Sequence, residues 1–316
     1  MSESEKGTPR VSVIMPIKNV GKFIFDAIQS VLSSDFKDFE IVCVDDGCTD
    51  DTLEIIGKID DSRIHVIKNQ GSGYTDGVNS GVAWAHGDYI MHSDGDDLIT
   101  NTRISKQVSF LDNNQEFGAI CGELQMLTPE GKVLPAKSER PQASEVTQKI
   151  RSGSTSISHC SYLIRSDLAK ELPYRKWFVT ASDLDFQFRL AEKCRIWFEP
   201  GTTFYYRLHS SSITHSQPSN QRIFFEETAH LFIQQRAQRG ADDLQENNPP
   251  EIPSAKDSEN SINVHLSNIF MGNAWRLKKD GKYLTAVWYG VKSYFKNPSD
   301  LSQLKSVFAL ILKPNN

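Results

Sequence analysis

The sequence predicts an α/β fold with a mostly parallel sheet flanked by helices on both faces, followed by an additional helical region at the C-terminal end. Two observations lead to this prediction. Over residues 11–100, short apolar β-branched segments alternate with segments of helical periodicity, which is typical of βαβ units. Beyond residue 260 the apolar residues recur at helical spacing, which indicates helices without strands.

Strands and helices alternate in the first third of the chain. Each predicted strand is a short apolar run, as expected for strands that are buried on both faces. These strands are predicted at 11–17, 39–47, 63–69 and 88–94. The intervening helices have apolar residues at helical spacing, a capping residue or a glycine-rich start, and are predicted at 21–35, 50–59 and 71–87. Because each helix returns the chain to the same edge of the sheet, these strands should be parallel.

The middle of the chain, residues 101–238, is less regular. Helices are predicted at 103–113, at 144–152 with Ser144 as the N-cap, and at 181–194. The extended segments are predicted at 117–127, at 195–209 and at the start of 156–172, which continues as a helix. This half therefore mixes strands and helices without a fixed alternation.

The composition changes at residues 239–260. This segment is acidic, rich in Pro, Asn and Ser, and nearly free of large apolar residues, which is typical of a linker or mobile loop. Two or three helices are predicted after it, over 261–279, 281–295 and 298–312. With a polar, disordered lead-in, the chain is predicted to divide into 1–10, 11–100, 101–238, 239–260 and 261–316.

Charge and cysteine content exclude several classes of protein. The net charge of −5 and the pI of about 5.9 argue against a nucleic-acid partner, because phosphate binding requires a basic surface. The five cysteines are odd in number and widely spaced, so a reducing cytoplasm is expected rather than a disulfide scaffold. The first ten residues do not form a signal peptide, and the sequence contains no apolar run of about 18 residues that would span a membrane.

Three carboxylates, Asp94, Asp96 and Asp97, are crowded together directly after a predicted strand. Like charges at this spacing disfavour one another's ionisation. An isolated Asp-x-Asp is most often a solvated turn with helix-capping aspartates. A second acidic pair, Asp45 and Asp46, follows another predicted strand, and ligands bind at the carboxyl ends of parallel strands. The pattern therefore favours a divalent metal, Mn²⁺ or Mg²⁺, together with a phosphorylated substrate.

Four short motifs follow one another along residues 16–97. They contain Pro16 and Asn19; Asp45, Asp46, Gly47 and Asp50; Asn79 and Gly81; and Asp94, Asp96 and Asp97. In order and spacing they resemble the Pro-x-x-Asn, Asp-Asp-Gly-Ser-x-Asp, Asn-x-Gly and Asp-x-Asp-Asp motifs in the nucleotide-sugar-binding half of the family 2 glycosyltransferases, which have the Rossmann-like GT-A fold. The resemblance implies that residues 11–100 bind the nucleotide-sugar and that residues 101–238 form the acceptor-binding half of the same domain.

The second half resembles the family more loosely. In "ASDLDFQFRL", Ser182 replaces the usual Glu of an acidic pair, while Asp183 keeps the acid. "YYRLHSSSIT" is similar to the family's Tyr-Arg-x-His-x-x-Ser and supplies Arg207 and His209. Two departures matter: Val78 stands where the family commonly has Arg, and the Gln-x-x-Arg-Trp of processive synthases is absent. The absence of that motif argues against a polymerising synthase.

The resemblance also implies roles for individual residues. Asp183 is the candidate general base, with an N-cap as the alternative role and Asp185 as the weaker choice of base. Asp46 would accept a hydrogen bond from uracil, Asp94 would contact the ribose, and Asp96 and His209 would bind the metal. The full set of candidate nucleotide-sugar-binding residues is Pro16, Ile17, Asn19, Asp46, Gly73, Asn79, Asp94, Gly95 and Arg207.

Together these patterns predict an inverting glycosyltransferase. It would move a sugar, most simply from a UDP-sugar, to a saccharide, lipid-linked or protein acceptor in the cytoplasm or at the inner face of the membrane. A non-catalytic nucleotide-sugar-binding or scaffold protein is the alternative. A nucleotidyltransferase would require a basic, Gly-rich fingerprint, which "PIKNVGKF" lacks. The C-terminal helices suit a homodimer contact, a lid, a peripheral membrane contact or simple packing.

Overall fold

A computed structural model describes residues 7–128, 130–134, 142–155, 157–209, 219–255 and 262–312. The chain divides into two compact units. The first consists of Met1–Gln125, Pro141–Tyr206 and Phe224–Glu251. The second consists of Met126–Arg140, Arg207–Ile223 and Ile252–Asn316.

Nine strands of the described residues form one mixed sheet in the order β3-β2-β1-β4-β8-β6-β9-β5, with β7 paired to β9. The strands are β1 (Val11–Ile17), β2 (Phe39–Asp45), β3 (Ile64–Lys68), β4 (Tyr89–His92), β5 (Leu98–Ile99), β6 (Phe117–Leu127), β7 (Ser144–Glu145), β8 (Leu163–Arg165) and β9 (Arg195–Arg207). The neighbours β3, β2, β1 and β4 are parallel. The pairs β4–β8, β6–β8, β5–β9 and β7–β9 are antiparallel. The predicted fold class is confirmed. The sequence patterns did not indicate that the second half of the sheet is antiparallel.

Helices cover both faces of this sheet. They are α1 (Ile24–Leu32), α2 (Thr52–Gly57), α3 (Gly73–Trp84), α4 (Arg103–Asn113), α5 (Thr147–Arg151), α6 (Ser166–Glu171), α7 (Ser182–Lys193) and α8 (Ser219–Arg239). Alternate residues of β1 point to opposite faces. Ile14 packs with α3 and α7 in one apolar cluster, while Val13 and Met15 pack with α1 and α4 in the other. The carboxyl ends of β1, β2 and β4 therefore project from a core that is packed on both sides.

Most of the predicted elements appear near their predicted positions, and α4 and β6 match their predicted bounds. Ser144 is a correction: it lies in β7, pairs with Phe198 of β9, and does not cap a helix. The next helix, α5, begins only at Thr147, because Val146 and Thr147 are engaged by Ile196. A polar residue before a helical pattern was therefore mistaken for a cap.

The described part of the predicted linker, residues 239–255, includes a buried carboxylate. Asp242 accepts hydrogen bonds from Arg175 at 2.8 and 2.9 Å and from Arg236 at 2.5 Å. Arg175 and Arg236 belong, like Asp242, to the first unit. The boundary of this segment as a linker stays a prediction, but its first part packs against the main sheet's helices.

The second unit contains three C-terminal helices, α9 (Ile262–Lys279), α10 (Tyr283–Lys296) and α11 (Leu301–Leu312), which lie close to their predicted ranges. Gly290 of α10 lets that helix approach α11, since a Cβ there would lie 2.7 Å from Leu310. The buried ammonium of Lys278 donates to the Leu310 carbonyl at 2.7 Å, at the C-terminal end of α11, where a positive charge is favourable. None of the helices in the described ranges combines the length and apolar composition that crossing a bilayer requires.

Candidate active site

The loop after β1 is tied to the loop after β2 by one asparagine. Asn19 has a positive φ of 53°, and its side-chain oxygen accepts hydrogen bonds from the backbone N–H of Thr49 at 2.8 Å and of Asp50 at 3.3 Å. Asp50 in turn accepts from the N–H of Gly21 and Thr52. Asn19, a predicted nucleotide-sugar-binding residue, thus holds the loops after β1 and β2 together.

Asp46 lies at the tip of β2 and does not cap the following helix. One of its oxygens accepts from Asn69 at 2.7 Å and from the Gly73 N–H at 2.8 Å, and the other accepts from Lys18 at 3.0 Å. Burial tends to raise the pKa of this carboxyl, but the bonds from Lys18, Gly73 and Asn69 outweigh burial and hold the pKa below its usual range. Gly73 has a φ of 80°, which only glycine adopts readily, so the start of α3 is shaped to hold Asp46.

The acid cluster lies directly after β4. Oxygens of Asp94, Asp96 and Asp97 are within 4.8 Å of one another, and Asp97 is buried. Burial raises the pKa of Asp94; the neighbouring His159 opposes this and Asp96 reinforces it. A Cβ on Gly95 would lie 3.0 Å from Ile17 and 3.1 Å from Val20. A side chain at position 95 would therefore press on the apolar residues beneath the cluster.

Asp94 is connected to Asp183 by two side chains. The Tyr74 hydroxyl donates to Asp94 at 3.1 Å, and its oxygen lies 2.5 Å from Nε2 of His159. The other ring nitrogen, Nδ1, lies 3.5 Å from the Asp183 carboxylate. Cys160 also donates its S–H to Asp94, at 3.2 Å. The structure thus brings Asp183, the predicted base, and Asp94, a predicted nucleotide-sugar-binding residue, to the same edge of the sheet.

This arrangement suits a protonated His159. If the Tyr74 hydroxyl donates to Asp94, its oxygen must accept a proton from Nε2, and Nδ1 must carry the proton that faces Asp183. Burial alone would lower the pKa of His159, but Asp183 and Asp94 raise it above the usual value. In return, His159 overcomes the effect of burial and holds the pKa of Asp183 below its usual range. Asp183 is therefore an ionised carboxylate at neutral pH, and its side chain is 40% exposed.

Asp185, the weaker candidate base, is fully buried. It accepts from the side chain of Arg175 and, at 2.9 Å, from Arg189. Its oxygens are thus committed to two guanidinium groups, which makes it a structural anchor for α7. Only Asp183, two residues earlier, faces the acid cluster through His159.

Three other predicted residues have structural contacts. The Asn79 side chain donates to the Tyr174 carbonyl at 2.9 Å and accepts from the Tyr174 N–H at 2.8 Å, so both of its polar groups are engaged. Ile17 is buried in the core and offers its carbonyl to the Asp46 N–H, and its part in nucleotide-sugar binding stays a prediction. Pro16 is half-buried and remains available for the predicted contact.

Arg103 was not anticipated as part of this region. It is fully buried at the start of α4 and donates to the Tyr162 carbonyl and to Gln107. Burial lowers the pKa of this guanidinium to about 10, while the thiol of Cys160 opposes that shift. Arg103 therefore places a buried cation near Cys160, whose thiol donates to Asp94 of the acid cluster.

The profile of the family described as "Glycosyl transferase family 2" matches residues 12–172, which hold the donor motifs and the sheet edge just described. The chain belongs to glycosyl transferase family 2.

Two similar proteins match about a third of this chain. The Escherichia coli UDP-Glc:alpha-D-GlcNAc-diphosphoundecaprenol beta-1,3-glucosyltransferase WfaP is 40% identical over 108 residues, which are 34% of this chain and 43% of that protein. The Bacillus subtilis glycosyltransferase EpsE is 36% identical over 116 residues, 35% of this chain and 42% of that protein. The match thus spans less than half the length of either relative.

The fold of the family 2 enzymes is also found by structural comparison. The structure of S. aureus TarS 1-349 in complex with UDP-GlcNAc matches with a TM-score of 0.58 and 17% identity, covering 94% of this chain and 90% of that one. This likeness shows a GT-A fold. It agrees with the parallel sheet of β1 to β4 and with the helices that flank it.

The family 2 residues at the sheet edge fit a divalent cation. Asp94, Asp96 and Asp97 offer hard oxygen ligands within 4.8 Å of one another, and such donors suit Mg²⁺ and Mn²⁺. The raised pKa of Asp94, caused first by burial, indicates that a nearby positive charge would stabilise the ionised cluster. His159 and Cys160 form a second group with Asp94, but their atoms already bond to Tyr74 and Asp94.

Arg207 and His209 belong to the second unit. Both are buried, and Leu208 between them donates its N–H to the Leu127 carbonyl at 3.0 Å. Their predicted contacts with the diphosphate and the metal stay predictions. Ser212, the last residue of that motif, lies outside the described residues.

Proposed function

We propose that the protein is an inverting glycosyltransferase that moves a sugar from a UDP-sugar to a hydroxyl of a saccharide, lipid-linked or protein acceptor. The observation that carries this proposal is the connection from Asp94 through Tyr74 and His159 to Asp183. It supports a site in which the ionised carboxylate of Asp183 lies close to Asp94, the residue that would bind the nucleotide-sugar. The names of WfaP and of the TarS complex support UDP as the nucleotide.

The donor would bind along the carboxyl ends of β1, β2 and β4. Lys18 is the exposed partner of Asp46, so uracil could replace it and donate an N–H to the same oxygen. Asp94 would contact the ribose. Asp94, Asp96 and Asp97 would hold Mn²⁺ or Mg²⁺, and such an ion, when bound, supplies positive charge to the leaving diphosphate.

The chemistry assigned to Asp183 is proton transfer. As the acceptor hydroxyl oxygen attacks the anomeric carbon, the carboxylate takes the hydroxyl proton. The new C–O bond forms on the face opposite the diphosphate, whose own bond to the sugar breaks, so the configuration inverts. His159 would hold Asp183 ionised and oriented between turnovers, which makes His159 a positioning residue.

Replacing His159 by glutamine should lower kcat for sugar transfer about 10- to 100-fold, since a hydrogen bond to a charged group is lost. The pKa of Asp183 should then rise, because His159 is the group that lowers it. The acidic limb of the kcat–pH profile should therefore move to higher pH. The measurement is kcat over the acidic range for H159Q beside wild type. An unmoved limb with reduced kcat would indicate a purely structural role.

A donor screen tests the proposed function directly. With Mn²⁺ present, release of nucleoside diphosphate should be fastest from UDP-sugars. GDP-sugars should react more slowly because Asp46 would accept the ring N–H of uracil, and dTDP-sugars should react more slowly because they lack the ribose 2′-hydroxyl that Asp94 would contact. Each sugar nucleotide is compared with the same sample in EDTA. Tight UDP-sugar binding without hydrolysis or transfer to any saccharide would favour the alternative, a non-catalytic binding protein.

The proposal also includes the biosynthetic role of the reaction and its location in the cell. WfaP is named for a lipid diphosphate acceptor, which supports a role in surface polysaccharide or glycoconjugate biosynthesis. A cytoplasmic reaction at the inner face of the membrane is consistent with such an acceptor.

A further inference from the structure

The C-terminal helices α10 and α11 expose an apolar face. On α10, four large apolar residues recur at helical spacing: Leu284 (83% exposed), Trp288 (50%), Val291 and Phe295 (74%). On α11 the exposed apolar residues are Leu301, Phe308, Ile311 and Leu312. A soluble surface rarely exposes so many large apolar side chains on two adjacent elements.

This face is not part of the unit's own core. The opposite side of α10 is already packed: Ser293 bonds to Ser267 and Gln303, and Gly290 contacts Leu310. The Tyr283 hydroxyl also donates to the Ile311 carbonyl. These contacts pair the start of α10 with the end of α11, so the two helices form an antiparallel pair. Its outer side, here called the C-terminal apolar face, keeps much of its apolar surface exposed in the part of the chain that the structure describes.

The charges on these helices are all positive. Neither 283–296 nor 301–312 contains Asp or Glu, while Lys292, Lys296 and Lys305 lie among the apolar residues. The Lys292 ammonium lies 3.7 Å from the centre of the Trp288 ring, so cation and apolar residue share one surface. The whole chain has a net charge of −5. A local basic face on an acidic protein indicates a specifically anionic partner.

We propose that the C-terminal apolar face binds the surface of an anionic lipid bilayer. Large apolar and aromatic side chains beside lysines are the composition of helices that lie in the membrane interface, where the rings and aliphatic chains enter the acyl boundary. The lysine stems can lie along the apolar surface while their ammonium groups reach the lipid headgroups. This inference depends on the second unit alone and does not require the proposed reaction.

A second copy of the chain fits this face less well. In a twofold contact the same surface patch lies on both copies. Lys292, Lys296 and Lys305 of each copy would then face a patch that carries lysines and no carboxylate on α10 or α11. Like charges across an interface oppose association, whereas phosphate headgroups neutralise them.

Vesicle co-sedimentation tests the proposal with the full chain, in the absence of donor and acceptor. The protein should bind vesicles made of equal parts phosphatidylglycerol and phosphatidylcholine, and should bind pure phosphatidylcholine weakly. Replacing Lys296 and Lys305 by Glu should weaken binding to the anionic vesicles at least about tenfold. The double variant L284S/F295S should lose binding to the same vesicles.

Two matched controls address folding and surface charge. K22E/K149E reverses two exposed lysines of the first unit, and F25S/V66S removes two exposed apolar residues there; both should bind vesicles like wild type. Thermal unfolding of every variant checks that it is folded. Equal binding to neutral and anionic vesicles, or none to either, would overturn the proposal. So would a wild-type dimer that L284S/F295S dissociates without any vesicle binding, since that result assigns the face to a second copy.

Discussion

Replacing Asp183 by asparagine should lower kcat for sugar transfer about 10²- to 10⁴-fold, which is the usual loss when a general base is removed. Asparagine keeps the shape and the contact with His159 but cannot take a proton. The Kd for UDP should change little, because Asp183 reaches the donor-site acid Asp94 only through His159 and Tyr74. The measurement is kcat for transfer beside the calorimetric Kd for UDP on the same sample.

The control for this variant is Asp167→Asn, which removes an exposed carboxylate on α6 and should leave both quantities unchanged. Near-normal kcat in D183N would remove Asp183 from the chemistry. An equal loss of kcat and UDP affinity would indicate that Asp183 mainly stabilises the first turn of α7, since a disturbed helix would affect the whole site.

Replacing Asp96 by asparagine should reduce transfer by more than about 100-fold, because a bound cation contributes several kcal/mol to stabilising the leaving diphosphate. EDTA should cause a similar loss in wild type, and added Mn²⁺ should restore it. The UDP affinity of wild type should rise on adding Mn²⁺, and this gain should disappear in D96N. Calorimetric titration of UDP with and without Mn²⁺ measures the gain.

Asp60→Asn is the matched control, since Asp60 is an exposed carboxylate away from the acid cluster. It should retain both the Mn²⁺-dependent gain and full activity. Undiminished turnover of wild type in EDTA would contradict the metal role. A D96N variant that still gains UDP affinity with Mn²⁺ would assign the ion to other ligands.

The sequence was sufficient to predict those elements and site residues that depend on a local pattern of apolar and polar residues. The alternation of strands and helices predicted β1 to β4 and the helices between them. The position of Asp46 and Asp94 at strand ends placed them at one edge, because parallel strands present their carboxyl ends together. Local pattern failed at Ser144, where a polar residue predicted to cap a helix pairs in a strand instead.

The connection between the two halves of the site could not be predicted in this way. Tyr74 and His159 are 85 residues apart, and neither lies in a motif that predicts chemistry. His159 precedes β8, whose antiparallel pairing with β4 brings it beside Asp94. A lone histidine in an irregular segment gives no periodic or spacing signal, and the antiparallel pairing had no pattern of its own. The buried Arg103 escaped notice for a similar reason, since a basic residue on a helix is usually solvated.

The pairing of Asp242 with Arg175 and Arg236 has a practical meaning for any shortened version of this chain. Arg175 also holds Asp185, and Asp185 anchors the helix that carries Asp183. Ending the chain near residue 238, where the composition changes, would remove Asp242 and leave two buried guanidinium groups with fewer carboxylates. Removing one partner of a buried pair typically costs about 3–5 kcal/mol. A shortened chain that keeps Asp183 in place should therefore retain Asp242, several residues beyond the point where the composition changes.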